Sequence, residues 1–159
     1  MTTPTPFPTL VFQAALAQDA AAFITVRGQT RQNAVSAERL AEFGITAESW
    51  AELMRSGKLP GHACHANGVL AGYCFGDLDT GEIIVLALLP EVEGMGAGKT
   101  LLELVMADLR AHGHQRLFLG CSSDPASRSY GLYRHLGWTS TGEMDAHGDE
   151  VLEFRHARP

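Results

Sequence analysis

The stretch "LALLPEVEGMGAGKTLL", residues 86–102, joins an apolar run, a proline–acid pair, three alternating glycines and the start of a helical pattern. Its end, Gly98-Lys99-Thr100, suggests a nucleotide P-loop, G-x-x-x-x-G-K-[ST]. That spacing demands glycine at position 93, where the chain has Glu93; Gly94 falls one residue too close to Gly98. What survives is a glycine turn between an apolar strand and a helix on which Leu101, Leu102, Val105 and Leu109 recur at helical spacing. The first amides of a helix lack intrahelical partners, and the dipole adds partial positive charge there, so such a turn suits an anion. Gly94, Gly96 and Gly98 remove side chains from the anion's path. The competing reading is a tight strand-to-helix turn that needs glycine only for its shape.

The elements around this turn decide between folds. "LVFQAAL" (10–16) reads as a strand, and Asp19 as the cap of a helix running toward Arg31. Ser36 and Gly44 bound a second helix, and Thr46 and Gly57 a third. "GHACHA", "GVLAGYCFG" and "GEIIVLALL" follow as short apolar runs divided by Asn67-Gly68 and by Asp79-Thr80-Gly81, which predicts an antiparallel meander. A P-loop fold needs a parallel sheet with alternating crossovers, so the meander excludes it on topology as well. Beyond the long helix, which Gly113 ends, "QRLFLGC" (115–121) reads as a strand. Asp124-Pro125 then predicts the start of a helix that Gly137 stops. "WTSTGEM" and "EVLEFRH" close the chain as strands. The order β-α-α-α-β-β-β-α-β-α-β-β implies a mixed sheet with helices packed on it.

Bulk properties narrow the function. A chain of 159 residues with 45% hydrophobic and 19% charged residues is expected to form one domain, residues 9–159, behind a loose tail at 1–8. A net charge of -6 argues against a general nucleic-acid binder and is compatible with a cationic substrate. No apolar run approaches the roughly 20 residues of a membrane span, and "MTTPTPFPT" lacks the features of a signal peptide. Cys64, Cys74 and Cys121 lack C-x-x-C spacing and read as free thiols in a reducing cytoplasm. The pairs His62/His65 and His112/His114 have no second ligand cluster nearby, so no metal site is expected.

The loop and the element order together resemble the GNAT family of N-acetyltransferases, whose pyrophosphate loop is [QR]-x-x-G-x-[GA] after a strand and a proline–acid pair. Here Pro90-Glu91 precedes Glu93-x-x-Gly96-x-Gly98. The family's second signature, an apolar-Tyr pair before x-x-x-G-[FW], stands as "LYRHLGW" (132–138). The two motifs cover roughly residues 82 to 138, and the element order extends the likeness over nearly the whole chain. The resemblance implies an α/β fold with a mostly antiparallel sheet of about seven strands, splayed where two parallel strands admit acetyl-CoA. It implies cofactor contacts from Leu86, Ala87 and Leu88 on the strand and from Glu93, Gly94, Met95, Gly96, Ala97, Gly98 and Lys99 in the loop. Two positions depart from the pattern. The loop's usual Arg or Gln is Glu93, and a frequent Asn is Ala126, for which Ser127 or Arg128 could substitute at the cofactor.

Acetyl transfer from a thioester to an amine needs a neutral amine, a stabilised oxyanion and a protonated leaving thiol. Most alkylamines are protonated near neutrality, with a lysine-like pKa of about 10.4, so a base must act directly or through water. By resemblance Glu82 is the candidate base, although it also reads as a solvated strand start. Six residues at about 3.3 Å each, roughly 20 Å, separate it from Leu88, so its proton path would run through ordered water. By the same resemblance Tyr133 is the acid, with Tyr130 as fallback; a phenol of pKa about 10 stays protonated at neutral pH. A backbone N–H near Leu88 is expected to hold the oxyanion. The alternative is a non-catalytic acyl-CoA sensor or interaction module. The acceptor is expected to be a small-molecule or peptide amine met by "RGQTRQNAVSAERLAEFG" (27–44), where Arg27, Arg31, Asn33 and Arg39 contact substrate or merely solvate a helix. Oligomeric state is left open, a homodimer included.

Overall fold

The computed structural model describes residues 8–31 and 34–156. Most of the expected tail, residues 1–7, and the candidate Asn33 lie outside the described residues. In chain order the elements are β1 (Leu10–Ala14), α1 (Ala20–Arg27), α2 (Ala37–Glu42), α3 (Ala47–Arg55), β2 (Gly61–Ala66), β3 (Val69–Gly76) and β4 (Ile83–Leu88). There follow α4 (Ala97–Ala111), β5 (Arg116–Cys121), α5 (Arg128–His135), β6 (Thr139–Met144) and β7 (Glu150–Arg155). This is the expected order and the expected seven strands among the described residues.

Local chemistry sets most boundaries. Ser36 caps α2 by accepting from the Arg39 amide at 3.1 Å. Thr46 and Ser49 cap α3 reciprocally, each side chain accepting from the other's amide. Asp19 occupies the N-cap of α1 without a capping bond from its side chain, because a 3-10 turn at Ala17–Asp19 leads into the helix. Asp124 does not open α5. Its carboxylate accepts from the Ala126 amide at 2.9 Å and closes a turn. Ser127 is the cap, accepting from the Tyr130 amide at 3.3 Å. A short polar side chain can close a turn two residues on as readily as it caps a helix, which is why the aspartate misled.

The meander forms a four-stranded antiparallel sheet in the order β1-β2-β3-β4, and the C-terminal strands form a second sheet, β5-β7-β6. One parallel bridge, Glu82 to Phe118, joins the two, with the Phe118 amide donating to the Gly81 carbonyl at 3.3 Å. Past that bridge β4 and β5 separate. The expected splay is therefore present, with its closed end at Glu82.

Each face of the first sheet carries its own apolar cluster. Leu101, Leu102, Val105 and Leu109 of α4 are fully buried against Cys64, Cys74 and Leu117. Phe23 and Val26 of α1 pack with Tyr73, Phe75 and Ala87 on the opposite face. Outward on α4, Glu103 and Arg110 are exposed, while Asp108 meets His62 Nε2 at 2.7 Å. The helix lies close to β3 because the strand turns small residues toward it. A Cβ on Gly76 would stand 2.8 Å from Val105 Cγ1 and 3.0 Å from Leu109 Cδ1.

That contact yields a stability test. Gly76→Ala inserts a methyl against two fully buried core side chains, which costs about 1–3 kcal/mol by overpacking. Urea unfolding should show a lower midpoint at unchanged m-value; an unaltered midpoint would mean that α4 sits further from the sheet.

Candidate active site

Where β4 and β5 part, a cleft of about 890 Å³ opens. Residues 83–88 form one wall and residues 119–122 the other; the glycine loop and α5 close the sides. β3 pairs one edge of β4, Gly72 opposite Leu88 and Tyr73 opposite Ala87. The other edge is free beyond Glu82, so it presents backbone donors and acceptors to whatever lies in the cleft. Leu86, Ala87 and Leu88, expected from the resemblance to contact the cofactor, all stand in that wall.

At one end sits the loop. After a 3-10 turn at Pro90–Val92, Gly94 and Gly96 adopt φ of 77° and 81°, the left-handed region in which a side chain is strained. Gly96 is the N-cap of α4, and the first helical amide to find an intrahelical partner is that of Thr100, which donates to the Gly96 carbonyl at 3.1 Å. The amides of residues 97–99 thus lie at the positive end of a fifteen-residue helix. Gly94, Gly96, Gly98 and Lys99 line the cleft. The side chains of Met95 and Ala97 do not, since both pack into the core.

Glu93 also lines the cleft, and its environment answers the concern its charge raises. Its carboxylate accepts from Arg31 Nε at 3.0 Å and stands 3.6 Å from an Arg128 guanidinium nitrogen. Two arginines against one carboxylate leave the trio net positive beside the helix N-terminus. The family's cation is absent from the loop's first position, yet positive charge is delivered there by residues from two other segments. Nothing within the motif signals this.

Tyr133 stands in the cleft wall on α5, its ring 6.0 Å from that of Trp138. Burial, with Cys74 and Cys121 as neighbours, raises its phenol pKa, so it holds its proton at any ordinary pH. Tyr130 is not part of the wall; the Arg134 guanidinium carbon lies 3.6 Å from its ring centroid. Ser127 also stays off the wall, its hydroxyl donating to the Asp124 carbonyl at 2.9 Å while capping α5, whereas Arg128 lines it. Cys121 shares the wall, but burial raises its thiol pKa and removes the thiolate a nucleophile needs. The three cysteines are free and buried.

Glu82 lies at the bridge that closes the splay and is not among the residues lining the cleft. Its carboxyl pKa is raised by burial and by Asp77 and Asp145, with His147 acting the other way. Asp149, which sequence reasoning missed, does line the cleft, and burial with the nearby Asp145 raises its pKa. It belongs to the turn between β6 and β7, and only pairing of those strands folds it over Gly120. Of the four candidate acceptor contacts, Arg27 and Arg31 line the cleft, and Arg39 pairs with Glu42 on the surface of α2. Among the described residues, no cluster of three or more metal-ligating side chains occurs, and no helix is long and apolar enough to cross a membrane.

Comparison with solved structures supports the architecture. The PaiA N-acetyltransferase of Thermoplasma acidophilum in complex with coenzyme A superposes with a TM-score of 0.76 at 18% identity, covering 93% of this chain and 99% of that one. For yncA of Salmonella typhimurium with its cofactor acetyl-CoA the values are 0.70, 20%, 95% and 98%. For the ribosomal-protein-S18-alanine N-acetyltransferase of Escherichia coli they are 0.69, 16%, 95% and 96%. At such identities these likenesses speak to fold alone. No curated protein sequence matches the chain. The model of the acetyltransferase (GNAT) family matches residues 17–138, a span that holds both the glycine loop and "LYRHLGW"; the chain belongs to the GNAT family of acetyltransferases.

Proposed function

We propose that this chain is an N-acetyltransferase that moves an acetyl group from acetyl-CoA to a primary amine by direct attack on the thioester. The observation that carries the reading is the splay itself. A free strand edge leads from a helix N-terminus ringed by Arg31, Arg128 and Lys99 to a cleft wall holding a protonated tyrosine. The coenzyme A and acetyl-CoA held by solved structures of this fold support the donor.

The amides of residues 97–99 and the arginines hold the pyrophosphate, and the free edge of β4 pairs with the amide-bearing arm. A neutral amine attacks the carbonyl carbon; a C–N bond forms and the C–S bond breaks. The backbone N–H near Leu88 donates to the carbonyl oxygen as negative charge collects there. Tyr133 donates its O–H to the departing sulfur. The proton lost by the amine leaves toward the carboxylates at the closed end, to Asp149 in the wall and to Glu82 through ordered water. Both carboxyls have raised pKa values, which strengthens them as proton acceptors.

Three measurements test this. Gly96→Val forces a branched side chain into the left-handed region at the anion site, a strain of order 1–3 kcal/mol. Calorimetry should show coenzyme A affinity reduced at least about tenfold; unchanged affinity would remove the loop from the site. ATP binding tighter than coenzyme A would instead revive the P-loop reading of the loop.

Tyr133→Phe keeps the ring and deletes the donor. Turnover should fall roughly a hundred- to ten-thousand-fold with coenzyme A affinity little changed. The unmodified protein should show no loss of rate up to about pH 10 from this group, because burial keeps the phenol protonated beyond the free tyrosine value. Thiol release by the variant at near-normal rates would shift the role to water.

Glu82→Gln and Asp149→Asn separate the two carboxylates. Each should lower the rate at neutral pH, by about tenfold for the water-linked Glu82 and by more for Asp149, and each should recover as pH approaches the amine's own pKa. An equal loss at every pH marks a structural role. Binding of acetyl-CoA with no thiol release for any amine would favour the sensor reading.

A further inference from the structure

A second hollow, of about 470 Å³, adjoins the cleft. Arg27, Val35, Ile84 and Val85 line both cavities, so they share a wall at β4. The remaining lining is almost wholly apolar. Phe23 and Ile24 of α1, Leu40 of α2, Phe43 and Ile45 of the following turn and Trp50 of α3 surround it. Tyr73 of β3 forms part of its floor, its ring 5.1 Å from that of Phe23. Across the rim, Phe43 meets His147 edge-on with ring centroids 6.4 Å apart.

Two of these residues leave much of their apolar surface open, although Phe43 also lies under the Arg39 guanidinium, 4.7 Å from its ring centroid. Phe43 is 56% exposed and Ile84 is 37% exposed, both large and apolar. Isolated exposed apolar side chains are ordinary, but these belong to one concave surface of the size that takes a small molecule, roughly 300–1,000 Å³.

Charge fixes the orientation of an occupant. The turn between β6 and β7 sets His147 in the hollow and Asp149, two residues on, in the cleft. Asp145 belongs to the same turn and adds to the negative field that raises the pKa of Glu82 and of Asp149. Arg27 stands on the shared wall, and Arg31, Arg128 and Lys99 lie with Glu93 at the loop, so within the cleft an ammonium group is drawn to Asp149, while the hollow offers its occupant carbon surface on nearly every side.

We infer that the acetyl acceptor is a primary amine carried on an aromatic or comparably bulky apolar body, whose body fills the hollow between α1, α2 and α3 while its nitrogen enters the cleft beside Asp149. This rests on the N-acetyltransferase reading. A short polyamine or a lysine side chain would leave the hollow unfilled, and a polar sugar amine would lose its hydrogen bonds there without replacement. A hydrophobic pocket discriminates by roughly ten- to two-hundred-fold for each methylene it fills, so body size should dominate selectivity.

The test pairs turnover with direct binding. Thiol release from acetyl-CoA is measured with 2-phenylethylamine, ethylamine, 1,4-diaminobutane and a lysine-containing peptide, and calorimetry follows binding of 2-phenylethylamine alone. The aryl amine should exceed ethylamine in kcat/KM by at least about a hundredfold. Phe43→Ala, at a position 56% exposed, should cut that ratio at least about fivefold, and Phe43→Leu should restore part of it. Unchanged coenzyme A affinity and melting temperature serve as the folding control. Equal kcat/KM for ethylamine and the aryl amine, or preference for the peptide, overturns the inference and leaves the transferase reading standing. Aryl-amine binding that Phe43→Ala abolishes, without thiol release from any amine, overturns the transferase reading and sustains the hollow. Absence of both binding and turnover with the aryl amine overturns the inference.

Discussion

Beyond one backbone bridge, Glu82 to Phe118, β4 and β5 stop pairing, and the rest of the site is arranged around that gap. A parallel strand pair is ordinarily stable along its length, so the separation has to be held open from both sides. β4 is tied to β3, and β5 is tied to β7 through six residue pairs from Arg116–Arg155 to Cys121–Glu150. α4 lies close against the first sheet through the small residues of β3, and its first turn meets the gap where Leu86, Leu88 and Leu132 converge on Gly98. The free backbone edge that results would be an aggregation hazard on an exposed strand. Here it is recessed in a cleft, where it can pair with a ligand.

The cleft is electrically polar along its length. At the glycine loop the helix dipole, Lys99, Arg31 and Arg128 outweigh Glu93. At the closed end, burial first and the charge of nearby Asp145 second raise the carboxyl pKa values of Glu82 and Asp149. On the proposed reading, a donor bearing phosphates and an acceptor bearing an ammonium are drawn to opposite ends. The overall net charge of -6 carries none of this information, since the sum says nothing of the distribution.

Burial acts on the chemistry in two further ways. It keeps the Tyr133 phenol protonated, as the proposed role of proton donor requires. It also raises the Cys121 thiol pKa in the same wall, which disfavours the thiolate and accords with the direct attack proposed above. Two side chains of opposite use, close together, are set by one desolvated environment.

The sequence by itself determined the elements, the family and the skeleton of the site. Glycines at 94, 96 and 98, the tyrosine of "LYRHLGW", the caps Ser36 and Thr46 and the Asn67-Gly68 hairpin are legible because each depends on contacts within a few residues. The turn at Asp124 was misread within that same range, since a carboxylate can serve two local geometries and packing of α5 selects one. What tertiary structure alone decided are the relations across distance. Glu93 meets an arginine 62 residues earlier, and that contact sets a guanidinium against its carboxylate. Glu82 is carried to the closed end of the splay, while Asp149 is folded into the wall by a hairpin whose register no local pattern announces. The apolar hollow draws its lining from three helices, the sheet and that same hairpin. Periodicity reports which face of an element is buried; it cannot report which faces meet, because that depends on the summed packing of the whole chain.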